Sequence, residues 1–331
     1  MYTKNLTLKQ KIAQMFITGF QGEIPDDRFY NLVKNGLGGV IFFTYNIKNE
    51  NQFKNLIKDI SKKSIIPMFF SIDKEGGRVE RTENIHNGKK YLSAKFAFEK
   101  GLSFLKNQTT QIAKELKGYG INMNFAPVLD VNTNAGNPII GERAFSNKTD
   151  EVITAAKVVI KEYLDNGIIP VGKHFPGHGA ASADSHKTLP IIDLPEKELK
   201  ENHIKPFVEA IKNGCPAIMA AHVLYPSLDN TNTPASVSEK IINRLLIKEI
   251  GFNGIIMTDD MEMNGIKNYT RLEACLKAIN AGVNMFIFRD TTPEIIKLID
   301  DIEKSAASNN KLNEKINISY EKILKLKEKF V

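Results

Sequence analysis

The sequence contains little cysteine, few arginines and no long apolar segment. Cys215 and Cys275 are too few and too isolated to build a disulfide framework or a zinc knuckle. No apolar run approaches the ~20 residues that cross a membrane. The first residues, MYTKNLTLKQKIAQMF, also lack the apolar core and small-residue cleavage site of a secretory signal. The sequence therefore predicts a cytoplasmic protein that does not interact with membranes.

Charge is plentiful but has no pattern that suggests a nucleic-acid partner. The formal net charge of +7 comes from lysines spread along 331 residues, without a basic run that aromatic residues interrupt. A nucleic-acid groove is therefore poorly supported. With 42% hydrophobic and 25% charged residues, the composition is that of an ordinary globular protein with a large core.

Short apolar runs alternate with segments of helical periodicity. Their continuous hydrophobicity is typical of parallel strands buried on both faces. The eight runs are Met15–Phe20, Gly39–Phe43, Pro67–Asp73, Asn122–Asp130, Ile168–His174, Ala217–His222, Gly254–Asp259 and Val283–Phe288. Helices are predicted over Thr149–Leu164, Glu196–Lys212 and Arg271–Ala281, with an amphipathic closing helix over Asn313–Val331.

Eight βα units in one chain predict an α/β protein with a TIM (β/α)8 barrel, forming a single domain over residues 1–331. An open doubly wound sheet is the alternative, but Gly19-Phe20-Gln21-Gly22 does not provide the Gly-rich phosphate turn expected after its first strand. Active sites of the barrel lie at the C-terminal ends of the strands. Polar residues end five of the runs: Asp73, Asp130, Lys173 with His174, His222, and Asp259 with Asp260.

Three of the six histidines, His174, His178 and His186, lie in the stretch GKHFPGHGAASADSHKTLP. Its prolines and glycines predict a loop, where side chains serve function more often than packing. Asp184 stands two residues before His186, close enough in a tight turn to reach the ring N–H and fix the tautomer. This pair therefore predicts acid–base chemistry.

The same residues leave other interpretations open. His174, His178, His186 and Asp184 could chelate a metal, although Pro176-Gly177 excludes helical i, i+4 geometry and the preceding lysine would repel a cation. A non-catalytic sugar-binding protein on the same fold is a second alternative. Individual residues also have plain structural interpretations: a helix N-cap for Asp259, an ordinary loop residue for His186, and an ion-pair network for Arg143, Lys173 and His174.

Six ordered motifs carry a resemblance that spans the whole chain. They are DKEGGRVERT (73–82), NFAPVLDV (124–131), NPIIGERAFS (137–146), KHFPGHG followed by DSH (173–186), AHVLYP (221–226) and MTDDMEM (257–263). Together they resemble the β-N-acetylhexosaminidases of glycoside hydrolase family 3, the single-domain bacterial type. The KHFPGHG segment followed by DSH marks the hexosaminidase branch of that family.

The resemblance implies a retaining mechanism. Asp259 would be the nucleophile that forms a covalent glycosyl-enzyme, with Asp260 as the weaker candidate. His186, paired with Asp184, would protonate the leaving oxygen and then activate water. Phosphate in place of water is an open alternative, because a neutral histidine would not repel that anion.

The resemblance also implies the sugar-binding residues. Asp73 would accept hydrogen bonds from hydroxyls far from the scissile bond, while donors would come from Arg81, Arg143, Lys173 and His174. Arg78 could exchange roles with Arg81 if the stretch is helical. Gly76 and Gly77 are expected to supply positive φ or a close backbone approach.

The implied substrate is a small molecule with terminal β-linked N-acetylglucosamine. Its most favoured form is a 1,6-anhydro-N-acetylmuramoyl peptide from cell-wall recycling, and chitin fragments are the alternative. No metal or organic cofactor is expected, because two protein side chains would supply the proton and covalent chemistry.

Overall fold

The computed structural model describes residues 6–182 and 189–331. Eight of its strands close into a parallel barrel in the order β1-β10-β9-β8-β7-β6-β3-β2, which confirms the predicted TIM barrel. The remaining two, β4 and β5, pair antiparallel as a hairpin. The strands are β1 (Phe16–Thr18), β2 (Gly39–Phe42), β3 (Phe69–Ile72), β4 (Lys74–Gly76), β5 (Val79–Glu80), β6 (Met123–Asn124), β7 (Ile169–Phe175), β8 (Ala217–Ala220), β9 (Ile255–Asp260) and β10 (Met285–Phe288).

Helices surround the barrel. The α-helices are α1 (Leu8–Gln14), α2 (Asp27–Lys34), α3 (Glu50–Lys63), α4 (Ala94–Glu99), α5 (Leu102–Tyr119), α6 (Thr149–Asp165), α7 (Glu196–Glu198), α8 (Lys205–Lys212), α9 (Arg271–Ala281), α10 (Pro293–Ala307) and α11 (Asn310–Phe330). Two π-helices cover Leu199–Ile204 and Lys240–Glu249. The four helices predicted from periodicity are present within a few residues of their expected ends. Within the described ranges, no helix is both long enough and apolar enough to cross a membrane.

The fourth apolar run departs from its prediction. A strand was expected over Asn122–Asp130, but β6 is regular only over Met123–Asn124. Pro127 has no N–H to donate to a ladder, and beyond β6 the chain follows β7 irregularly. The N–H of Leu129 still donates to the Lys173 carbonyl at 2.6 Å. The prediction that Asp130 ends a strand is therefore wrong, although the residue lies beside β7.

The N-terminal face of the barrel is closed by the last helix. Lys327 of α11 is buried and donates to the side-chain oxygen of Gln14 at 2.7 Å and to the carbonyl of Gly38 at 2.8 Å. Burial holds the pKa of Lys327 well below its ordinary value. Gly38 directly precedes β2 and lies so close to α1 that a Cβ there would be 2.0 Å from the Gln14 carbonyl oxygen. The packing of α1, β2 and α11 therefore requires glycine at this position.

Replacing Gly38 with alanine is expected to lower the free energy of unfolding by about 1–3 kcal/mol, because the atoms that would clash, in Gln14 and Phe16, are backbone atoms. Gly118→Ala is the matched control. Gly118 is exposed in α5 and a Cβ there would meet no atom within 4 Å. The control is expected to gain about 0.5–1 kcal/mol from helix propensity. Urea unfolding of both variants measures the difference, and a Gly38→Ala protein as stable as wild type would contradict the close approach.

Candidate active site

A cavity of about 270 Å³ opens at the C-terminal ends of the barrel strands. Six residues that the family resemblance predicted for the site line it: Asp73, Arg81, Arg143, Lys173, His174 and Asp259. Asp184 and His186, the predicted acid–base pair, lie outside the described residues. The structure therefore brings together the residues predicted for the nucleophile and the sugar-binding groups.

The hairpin after β3 carries two arginines to the cavity. Gly76 has φ of 89° and Gly77 of 60°, so both occupy the left-handed region as expected. The stretch is a hairpin rather than a helix, and Arg78 and Arg81 therefore differ in environment. Arg78 donates to the carbonyls of Pro138 and Ile139. The buried Nε of Arg81 has no hydrogen-bond partner among the described residues.

A buried ion-pair network forms one wall of the cavity. Lys173 Nζ lies 2.6 Å from Asp73 Oδ1 and 2.6 Å from Glu75 Oε1. Arg143 contacts the same glutamate in a bidentate pair, with both N···O distances 2.8 Å. Burial alone would raise the pKa of Glu75, but Arg143 and Lys173 hold it far below its ordinary range. The network keeps two cations in place at the edge of a desolvated cavity.

Sequence reasoning did not identify Glu75, although a signal was available. Glu75 stands two residues after Asp73 in the same DKEGGR segment. Residues two apart on an extended chain share a face. The expectation that Asp73 faces the cavity therefore also placed a second carboxylate on the same side of the segment, where Glu75 lies buried against Lys173 and Arg143.

Asp130 orients one of the cavity's histidines. Its carboxylate is fully buried and lies 2.7 Å from His174 Nδ1, and it accepts from the backbone N–H of His178 at 2.6 Å. Although burial raises the pKa of Asp130, His174 and His178 lower it below its ordinary value. An ionised carboxylate only accepts, so His174 Nδ1 carries the proton and its Nε2 points toward Arg143, 3.5 Å from Nη2.

Asp259 and Asp260 end β9, and their pKa values are shifted in opposite directions. Burial raises the pKa of Asp259, but His174, His222, the Asp260 N–H and Lys173 together leave it below its ordinary value. The N–H of Asp260 also donates to Asp259 Oδ1 at 2.8 Å. Burial and the neighbouring Asp259 instead raise the pKa of Asp260 to about 6, despite a hydrogen bond from the Glu262 N–H. At neutral pH Asp259 is therefore the more firmly ionised carboxylate.

Among residues 6–182 and 189–331, no three histidine, cysteine, aspartate or glutamate side chains are grouped so that they could hold a metal ion. The chelating alternative also uses Asp184 and His186, which are outside these ranges. It therefore stays a hypothesis.

The raised pKa of Asp260 makes a pH-dependent contribution to stability. Because the folded protein binds this proton more tightly than the unfolded chain does, stability falls as the pH rises from about 4 to about 6. Asp260→Asn imitates the protonated form and keeps an acceptor for the Glu262 N–H. We expect it to exceed wild type by up to roughly 3 kcal/mol above pH 6, and to match it below pH 4.

Urea unfolding between pH 3.5 and 8 checks this expectation. Asp165→Asn is the control, because Asp165 is exposed at the end of α6 and pairs there with surface Lys161. A difference from wild type that stays constant with pH would contradict the assignment. So would an Asp260→Asn protein that is less stable at neutral pH.

Known proteins resemble this chain in sequence and in fold. A model of the family described as "Glycosyl hydrolase family 3 N terminal domain" matches residues 7–326. The chain is 34% identical to "Beta-hexosaminidase A" of Pseudoalteromonas piscicida, over 92% of this chain. It is 33% identical to "Beta-hexosaminidase" of Haemophilus influenzae, over 81% of this chain and 76% of that protein.

A solved structure has the same fold. The glycoside hydrolase family 3 β-N-acetylglucosaminidase from Paenibacillus sp. str. FPU-7 superposes with a TM-score of 0.91 at 33% identity, over 98% of this chain. This chain spans only 63% of that structure and 56% of the Pseudoalteromonas protein. Because the family model nevertheless matches almost every residue of the chain, the protein belongs to glycosyl hydrolase family 3, as a member of its N-terminal domain family.

Proposed function

We propose that the protein is a retaining glycoside hydrolase that removes terminal β-linked N-acetylglucosamine. The observation that carries this proposal is Asp259, a carboxylate with a lowered pKa at the end of β9, in a cavity lined by sugar-binding donors and acceptors. The names of the relatives, β-hexosaminidase and β-N-acetylglucosaminidase, support the same substrate class. A cavity of about 270 Å³ suits one sugar ring better than an extended chain.

In the proposed first step, Asp259 attacks the anomeric carbon and forms a glycosyl ester as the bond to the leaving oxygen breaks. The attacking carboxylate must stay ionised beside a centre that gains positive charge. The electrostatic contributions of His174 and His222 keep it so. The strand end holds it in a fixed place beneath the ring.

The proton for the leaving oxygen would come from His186, oriented by Asp184. The same histidine would then take a proton from water, whose oxygen displaces Asp259 and regenerates the free carboxylate. This assignment rests on the family resemblance. It completes a reaction for which the described part of the cavity offers the nucleophile and the binding groups.

Recognition of the sugar is proposed for the cavity wall that carries Asp73 and Lys173. Asp73 has an acceptor oxygen at the cavity, and its partner Lys173 has a donor there. Arg81 offers its unpartnered Nε, Arg143 adds donors held in place by Glu75, and His174 adds Nε2 as an acceptor oriented through its contact with Asp130. Charged groups fixed in this way form strong hydrogen bonds to ring hydroxyls and to the acetamido group.

We propose a 1,6-anhydro-N-acetylmuramoyl peptide as the natural substrate and the cytoplasm as the place of action, with chitin fragments as the alternative. Both parts follow from the family resemblance and from the sequence prediction of location. Fractionation of cells that produce the full chain tests the location. Turnover of purified muropeptides beside chitobiose tests the substrate.

Asp259→Asn is expected to abolish release of 4-nitrophenol from its β-N-acetylglucosaminide, because an amide cannot form the glycosyl ester. Asp259→Ala with added azide is expected to recover turnover and to give the α-glycosyl azide, since azide enters the space of the missing nucleophile. Proton NMR of the product identifies the anomer. Asp150→Asn, an exposed change in α6, is the matched control and should keep wild-type activity.

Several results would contradict this mechanism. Activity lost with EDTA and restored by zinc would favour the metal-dependent alternative. Folded wild type that binds N-acetylglucosamine but turns over neither glycosides nor muropeptides would favour a binding protein. A sugar phosphate formed in phosphate buffer would show that phosphate resolves the intermediate.

His186→Ala is expected to lower the rate by roughly 10²–10⁴-fold on a substrate with a poor leaving group, because general-acid catalysis contributes that much. The loss should be smaller for 4-nitrophenol, which leaves without much protonation. Comparing kcat/KM for chitobiose and for the nitrophenyl glycoside separates the two cases. Equal losses on both substrates would contradict a role for His186 as the general acid.

A further inference from the structure

A buried lysine lies behind the hairpin of β4 and β5, on the side away from the cavity. Successive residues of an extended chain point to opposite sides. Asp73 and Glu75 both contact Lys173, whereas Lys74 between them has other partners. The Lys74 side chain is fully shielded from solvent and lies outside the residues that line the cavity. The proposed reaction therefore makes no direct use of this cation.

The ammonium group of Lys74 joins the two ends of the hairpin. Lys74 and Glu80 are paired across the hairpin, and Lys74 Nζ lies 2.7 Å from Glu80 Oε1. The same ammonium donates to the hydroxyl of Thr82. Thr82 in turn donates to Glu80 Oε1 through its N–H at 3.1 Å and its hydroxyl at 2.7 Å. The three side chains therefore form a closed set of charge-assisted hydrogen bonds.

Further contacts fix this set against helix α5. Lys74 Nζ lies 3.6 Å from Oε2 of Glu115, a residue of α5, and 4.9 Å from the centre of the Tyr91 ring. The Tyr91 hydroxyl donates to the other carboxylate oxygen of Glu115. At the tip of the hairpin, the N–H of Gly77 donates to the Tyr91 carbonyl at 2.8 Å. Both the base and the tip of the hairpin are therefore held relative to α5.

The backbone of Lys74 is fixed to the barrel as well. The side chain of Asn124 in β6 accepts the Lys74 N–H at 2.9 Å and donates to the Lys74 carbonyl at 3.0 Å. Asp73 directly precedes Lys74, and Arg81 directly follows Glu80. Both of these neighbours line the cavity. A change in the contact between Lys74 and Glu80 would therefore move a predicted sugar-binding residue at each end of the hairpin.

Stability alone does not explain why this pair is charged. An apolar pair of the same volume is often at least as stable as a buried ion pair. The second carboxylate oxygen of Glu80, Oε2, is buried and has no hydrogen-bond partner among the described residues. A charge-assisted hydrogen bond, however, fixes direction as well as distance. The pair is therefore better suited to holding a geometry than to stabilising the fold.

We propose that Lys74 is a positioning residue, which acts through Glu80 to set the separation of Asp73 and Arg81 and thereby the affinity of the cavity for the sugar. This inference rests on the proposed glycosidase function. The proposed contacts of Asp73 are with hydroxyls far from the scissile bond, so they bind the ground state and the transition state alike. Loss of the Lys74 contact should therefore raise KM and leave kcat unchanged.

Lys74→Met tests the proposal, because methionine retains an unbranched chain but has no ammonium group. KM for 4-nitrophenyl β-N-acetylglucosaminide is expected to rise about tenfold, as the loss of one well-placed hydrogen bond to the sugar predicts. Over the same comparison kcat should stay within about twofold of wild type. The dissociation constant of N-acetylglucosamine, measured by calorimetry, should rise by the same factor as KM.

Two further variants separate positioning from stability. Lys74→Met leaves Glu80 buried without its cation and should lower the unfolding midpoint. The double variant Lys74→Met/Glu80→Gln removes that charge, so the midpoint should recover while KM stays raised. Lys327→Met is the matched control, because Lys327 is also buried and lies 4.9 Å from the ring centre of Phe69, at the opposite end of the barrel. It should lower the midpoint and leave KM unchanged.

The results distinguish this inference from the proposed function. If wild type cleaves the glycoside and Lys74→Met keeps the wild-type KM, Lys74 has no positioning role, although the glycosidase function stands. A double variant whose KM recovers together with its unfolding midpoint would also overturn the inference, as would an equal rise of KM in Lys327→Met. Should Lys74→Met not fold, the double variant alone decides.

If folded wild type cleaves no glycoside, the glycosidase function itself fails. The dissociation constants of N-acetylglucosamine for wild type and the Lys74 variants then decide whether Lys74 positions the binding residues. A wild type that neither cleaves the glycoside nor binds N-acetylglucosamine would overturn both proposals.

Discussion

The candidate site depends on the ion pairs that the buried Glu75 carboxylate makes. One buried acid neutralises both Arg143 and Lys173, and without it two like charges would face each other in a desolvated wall. Lys173 also contacts Asp73, so the position of that acceptor depends on the same group. Burying these charges costs free energy. Charges that are fixed and shielded from water, however, bind sugar hydroxyls more strongly and more selectively than mobile, hydrated charges do.

The barrel itself was largely predictable because its signal is repeated. Parallel strands buried on both faces need continuous apolar runs, and eight such runs leave few alternative architectures. The strand ends then place Asp73, Lys173 and Asp259 around one cavity without further information. The predicted strand over Asn122–Asp130 was wrong beyond β6, because the apolar pattern there favours a strand but the backbone cannot donate every hydrogen bond of a ladder. Pro127 sits within an apolar run but cannot donate to a ladder.

The parts of the site that the sequence did not predict depend on contacts between segments that are far apart in the chain. Phe43 and Arg289 are brought together because β2 and β10 both adjoin β1, and no local pattern in either segment shows this. The support of His174 by Asp130 needs the irregular path after β6. The roles of Asp184 and His186 are still predictions. Local patterns show which residues lie at strand ends, whereas contacts across the barrel require its closure.

The strand end at β9 shows how one backbone creates two carboxylates of different character. Successive residues of a strand point to opposite sides, so Asp259 and Asp260 meet different neighbours. Asp259 receives the N–H of Asp260, while the carbonyl of Asp260 accepts from His222 Nε2 at 3.2 Å. Divergent pKa values in adjacent acids are a common means of separating chemical roles. Here they favour Asp259 as the group that stays ionised.

The charged groups on the floor of the cavity and those at its rim differ in their exposure to solvent. On the floor, Lys173, Arg143 and Glu75 are shielded from solvent, so their interactions are strong, rigid and little affected by salt. At the rim, Arg289 is hydrated and its attraction is weaker but reaches incoming ligands. Under the proposed function, this floor holds the terminal sugar by shape and hydrogen bonding. The floor and the rim are built from different residues, so the two regions can change independently.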